Sequence, residues 1–166
     1  VDDGSNAVWW YEISDKNYSR LLLPMSCGYS FRVMLAGETV PVDHNLFCFA
    51  FGEEPSETEL KGWALYMNST VVALLRELYG RSNLGQGGLK TEGVDWSRMP
   101  VPDPETLENI ADSYEDTSEL FDRTIGKIWD EVEKEDKIRL DEVVFDEIGI
   151  DPSLVEQLQM RAVELT

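Results

Sequence analysis

The chain has 166 residues, 42% of them hydrophobic and 10% aromatic, a composition that can bury a core and is not that of a disordered polypeptide. No apolar run approaches the roughly 20 residues a membrane helix needs, and one histidine with two cysteines at no metal-ligand spacing makes a poor zinc site. The 33 acids against 14 bases give a net charge of −19, which argues against a generic electrostatic grip on nucleic acid.

The first half reads as β. Residues 1–6 are loop-like, and the absence of an initial Met predicts a fragment of a longer protein. Aromatics Trp9, Trp10 and Tyr11 open the β region, and a turn over 17–20 leads to Leu21, Leu22 and Leu23, ended by Pro24. Residues 29–35 alternate, with Tyr29, Phe31 and Val33 on one face, and predict a second strand ending in a turn at 36–38. The apolar run 46–51 predicts a central buried strand, broken by Gly52 and Pro55.

A capping box, Ser56 with Glu59, starts a helix expected to run to Gly80. Its buried stripe is Leu60, Trp63, Ala64, Met67, Val71, Leu74, Leu75 and Leu78, at three-four spacing over about five turns. The glycine-rich segment 81–88 lacks both the Lys-Ser/Thr of a phosphate loop and the spacing of GxGxxG. A short strand at 89–91, a turn at 95–98 and an extended 99–102 follow.

Asp103 and Pro104 read as a cap and a first helical position. Four helices are predicted beyond them: one from 105 burying Leu107, Ile110 and Ala111, one over about 117–133, one over 138–148 capped by Gly149, and one starting at Asp151 and Pro152. The expected fold is therefore α/β in the α+β sense, a small mixed or antiparallel sheet on a long helix, then a helical tail. The expected division is a recognition domain, 1–104, and an acidic helical segment, 105–166. Residues 101–166 hold 20 of the 33 acids and 6 of the 14 bases. Two readings compete for this excess: an acidic interaction surface or DNA mimic, and the surface habit of a halophilic proteome.

Catalytic candidates are thin. His44 has no local Ser or Cys partner, and the paired acids at 141–142 and 146–147 lie five apart, as on a solvated face. The scarce bases say more. Arg76, Arg81 and Lys90 bracket the glycine-rich loop, which contains Ser82, Asn83 and Gln86. Glycine admits a phosphate close to backbone N–H groups. Asn and Gln suit adenine edges and Arg suits guanine. A loop that only turns the chain is the plain alternative.

Several motifs together resemble one family. Asn68-Ser69, then ELYGRS, then GQGGLKTEGVDWSRMPVPDP are similar to the C-terminal target-recognition region of adenine-N6 DNA methyltransferases of restriction–modification systems, including enzymes that also cut. The specificity subunits of type I systems carry a looser form. Trp9-Trp10-Tyr11, Leu23-Pro24, Arg32 and His44-Asn45-Leu46-Phe47 look like the front end of such domains, and RLDEVVFDEIG, 139–149, like their closing segment. The resemblance covers nearly the whole chain and is most specific from Gly87 to Pro104. It departs at the chemistry: the Asn/Asp-Pro-Pro-Tyr/Phe tetrapeptide and the glycine-rich loop for S-adenosylmethionine are absent, so this chain alone is expected not to methylate.

No signal peptide is apparent, which predicts a cytoplasmic protein. The resemblance implies a sequence-specific reader of double-stranded DNA, partnered with an upstream catalytic domain that binds S-adenosylmethionine. It puts Arg81, Ser82, Asn83, Gln86 and Lys90 first among DNA-facing residues, with Arg32, His44 and Asn45 second. The alternative is an acidic protein-interaction module that docks a subunit or mimics DNA.

Overall fold

The computed structural model describes residues 18–49, 51–81, 88–114 and 116–166, and its organising strand is β1, Tyr18–Pro24. Ser19, Leu21 and Leu23 are buried while Arg20, Leu22 and Pro24 are half-buried, the period of two that places alternate side chains on opposite faces. β1 pairs antiparallel with β3 (Met34–Pro41) on one side and β4 (Leu46–Cys48) on the other. The pairing with β3 slips between Ser19 and Leu21, where the buried Ser19 hydroxyl donates to Leu21 O at 2.9 Å. A second, two-stranded antiparallel ribbon joins β2 (Ser26–Cys27) to β5 (Leu89–Lys90).

The mixed α+β architecture with small antiparallel sheets and a helical tail is as expected. Two strands lie elsewhere than expected. Pairing begins only at Met34 and runs through 36–38, so the alternating 29–35 segment is mostly unpaired and the supposed turn is strand. The 46–51 run contributes three residues on an edge, and β1 takes the centre.

The long helix is two helices, α1 (Glu57–Met67) and α2 (Thr70–Tyr79). Ser56 caps α1 as expected, accepting from the Glu59 amide at 3.0 Å. At the break, Asn68 Nδ2 donates to Ala64 O at 2.7 Å and to Val33 O at 2.8 Å, while Oδ1 accepts from Val33 N–H at 3.0 Å. The side-chain amide thus bonds Val33 as a neighbouring strand would. Ser69 caps α2. The apolar stripe crosses the break without a change of period, which is why the sequence conceals it. Leu78, expected inside, is 74% exposed.

After a single turn, α3 (Gly93–Trp96), the helix α4 (Pro104–Ser113) starts from Asp103, whose carboxylate accepts from Thr106 N–H at 2.8 Å. Leu107 and Ile110 are fully buried, worth about 1.5–3 kcal/mol each relative to exposure. α4 lies so close to α1 that a Cβ on Gly62 would stand 2.0 Å from Leu107 O. The helix expected over 117–133 is two single turns, α5 (Ser118–Phe121) and α6 (Ile128–Glu131). Between them, Arg123 is drawn to Glu131 and Asp136, and Glu131 accepts from Gly126 N–H, contacts an unbroken helix could not make.

The last helices are α7 (Glu135–Glu147) and α8 (Val155–Leu165), the latter entered through a 3₁₀ turn at Pro152–Leu154. Gly149, at φ +75°, supplies the left-handed residue that ends α7. One apolar cluster takes in Leu21 and Leu23 from β1, Leu60 and Leu65 from α1, Leu107 and Ile110 from α4, and Leu140, Val144 and Phe145 from α7. The core is thus continuous across residue 104. No helix among the described residues is long and apolar enough to cross a membrane.

Candidate nucleic-acid interface

The glycine-rich segment springs from a closed neck. Arg81 N–H donates to Lys90 O at 2.8 Å and Lys90 N–H to Arg81 O at 3.1 Å, so the ends of the loop are pinned as a bridge beyond α2. Ser82, Asn83 and Gln86 lie outside the described residues. At the neck, Lys90 Nζ stands 2.8 Å from Glu92 Oε1, and Arg81 Nη2 stands 3.2 Å from Glu92 Oε2. The hydrogen bond from Lys90 and the nearby charges of Arg81 and Lys90 hold the Glu92 carboxyl below its ordinary value. The Arg81 side chain is 59% exposed. Ion pairs this exposed are screened by water and contribute little, so a competing anion can take the cations from Glu92 at little cost.

Beneath the neck, Arg76 is buried. Its guanidinium lies 3.6 Å from the centre of the Phe31 ring, and it donates to Thr91 Oγ1 at 3.2 Å and Cys27 Sγ at 3.0 Å. Burial lowers its pKa, against the opposing effects of the Cys27 thiol and the Glu77 charge. Arg76 therefore supports the neck from inside and is not part of a surface.

The second candidate group meets the first at one residue. Met25 N–H donates to Asn45 O at 3.0 Å, and Met25 O accepts from Thr91 N–H at 3.0 Å. The 43–45 turn and the strand leaving the neck thus hang from the same short segment. In the turn, Asp43 Oδ1 accepts from Asn45 N–H at 3.0 Å and from Asn45 Nδ2 at 2.7 Å, and Asp43 Oδ2 lies 3.2 Å from His44 Nδ1. The Asn45 amide hydrogen bond is the main cause of a lowered Asp43 pKa. The His44 side chain is 85% exposed. Its bond within the turn is what a strand-entry histidine does.

Arg32 does not join these residues. It donates to Leu120 O and to Arg123 O and faces Glu131 at 4.0 Å, with its side chain 12% exposed. Burial first, then the neighbouring Arg123 charge, lowers its pKa. Of the described candidates, then, Arg81, Lys90, His44 and Asn45 are at the surface and Arg32 fastens the 117–133 region inward.

Two groupings were invisible in the sequence. One is Glu92, the shared partner of the neck cations. The other is the Asp141 carboxylate, expected on a solvated face but fully buried, because it accepts from Thr70 N–H (2.7 Å), Thr70 Oγ1 (2.6 Å), Lys137 Nζ (2.8 Å) and Gln159 Nε2 (2.8 Å). Lys137 Nζ also donates to Asn68 O at 2.9 Å. The Asn68-Ser69 motif and the 139–149 motif, distant in sequence, thus meet around one carboxylate. Among the described residues, no group of three His, Cys, Asp or Glu is arranged to hold a metal. Both cysteines are free, and burial pushes the Cys48 thiol up.

Compared with family models, with curated proteins and with solved structures, the chain has no match in any of the three.

Proposed function

We propose that this chain is the DNA-recognition module of a restriction–modification adenine-N6 methyltransferase, with methyl transfer carried by an upstream catalytic domain. The observation that carries the reading is that Met25 bonds both Asn45 of the exposed 43–45 turn and Thr91, the residue that follows Lys90 of the neck. The exposed 43–45 turn and the neck, with Arg81 exposed and Lys90 half-buried, thus flank one segment. The resemblance of the motifs that build this neck is the second support.

In this reading Arg81 and Lys90 exchange Glu92 for backbone phosphate, which sets register, and the polar side chains of the loop address base edges. S-adenosylmethionine is placed in the partner domain. The net charge of −19 repels DNA at long range, so affinity rests on few contacts and little counterion release.

The test is duplex DNA binding by the intact enzyme, read by fluorescence anisotropy. Replacing two phosphate contacts, Arg81→Ala with Lys90→Ala, weakens binding by about tenfold or more and flattens the salt dependence by roughly two phosphates' worth. Unchanged affinity in the double variant overturns the assignment.

A further inference from the structure

A groove of about 830 Å³ lies between α6, α7 and α8, on a part of the tail that the DNA reading does not use. Its floor is apolar: Trp129, Val132, Ile138, Met160 and Val163 line it. Met160 is 59% exposed and Trp129 37%, more than the interior of a finished core would leave open. Its rim is acidic: Glu133, Glu142, Glu156 and Glu164 line it, and no Lys or Arg does. Glu164 is paired with Arg161, whereas the other three have no ion pair among the described residues.

We propose that this groove docks a basic amphipathic helix of a partner protein. Three features of the groove define the occupant. The floor calls for an apolar stripe. The unpaired carboxylates of the rim call for Lys or Arg on both flanks of that stripe, because opposite charges steer encounter and fix register. The walls are helices and a 3₁₀ turn, so they offer no strand edge to pair with an extended backbone. An occupant must satisfy its own backbone hydrogen bonds, which a helix does. The volume accommodates the buried half of roughly three helical turns. Residues 1–17 of the chain are a poor match by charge, with four acids (Asp2, Asp3, Glu12 and Asp15) against Lys16.

This proposal stands independently of DNA binding and is tested on the full chain with three labelled synthetic peptides. One carries leucines at helical spacing flanked by lysines, one has the same composition scrambled, and one has glutamates in place of the lysines. Fluorescence anisotropy is expected to show the first binding at least about tenfold more tightly than either control, a difference of about 1.4 kcal/mol. Met160→Glu, at an exposed position that leaves the fold intact by circular dichroism, abolishes that preference. Asp112→Asn, exposed and outside the groove, leaves it unchanged. The proposal is overturned if the scrambled peptide binds as well, which would make the rim a non-specific acidic surface, or if Met160→Glu binds like the parent. It is also overturned if the chain dimerises in sedimentation and Met160→Glu dissolves the dimer, which would assign the groove to a second copy.

Discussion

Asp141→Ala tests the link between the tail and the α1–α2 break. Asp141 is fully buried and accepts four hydrogen bonds, two from Thr70 and one each from Lys137 and Gln159. Alanine leaves the Lys137 ammonium, 8% exposed, with only Asn68 O. Removing one partner of a buried ion pair costs about 3–5 kcal/mol, and an orphaned buried donor costs about 1–3 kcal/mol. These terms overlap, since some donors reach water once the site loosens, so the expected loss is about 4 kcal/mol. Set against a typical total of about 5–15 kcal/mol, that is a large fraction. For a chain of this length it corresponds to a Tm lower by roughly 8–16 °C. Urea denaturation followed by circular dichroism measures it. Lys137→Met, made alone and with Asp141→Ala, supplies the control: two residues of one network should couple, so the double variant should lose at least about 1 kcal/mol less than the sum of the singles. A loss under about 1 kcal/mol for Asp141→Ala, or strict additivity with Lys137→Met, refutes the reasoning.

Two further perturbations read other parts of the fold. Burial alone would raise the Glu131 carboxyl, but hydrogen bonds from Arg123, Lys134 and Gly126 N–H outweigh it and hold the group at about 2. A carboxyl depressed in the folded state stabilises above its unfolded value of about 4.3 and loses that contribution as pH falls toward about 2. Stability measured across that window should therefore drop, and Glu131→Gln should flatten the profile. Equal slopes in parent and variant would count against the cluster. Gly62→Ala gains about 1 kcal/mol of helix propensity but forces a Cβ to within 2.0 Å of Leu107 O, which is backbone and cannot rotate away. The expected net loss is about 2 kcal/mol, from the parting of α1 and α4, and a higher Tm in the variant would refute the close approach.

What the sequence made legible was mostly local. Ser56, Asp103 and Gly149 mark helix ends by side-chain or backbone chemistry that acts within a few residues, and all three act there. What it concealed depends on distant partners. The strand expected at 29–35 begins only at 34 because its pairing is set by Leu21 and Leu22, and because Asn68 occupies the backbone of Val33. The helix expected over 117–133 fails because Arg123 and Glu131 take contacts that require a bend, although Leu120, Phe121, Ile125 and Ile128 keep a helical period through it. At the candidate interface, scarcity singled out Arg81 and Lys90. Nothing in their spacing announced that Glu92 holds both, or that Arg32 turns inward to Leu120 and Glu131.

The buried Asp141 carboxylate also sets what nature could exchange. A segment can be transplanted only where the cut severs few bonds. A cut after residue 104 would strip Leu107 and Ile110 from α1 and leave Thr70, at the start of the helix that leads into the loop neck, facing no carboxylate. The smallest part of the chain that can be transplanted with the Arg81–Lys90 neck and its support intact therefore includes the acidic tail.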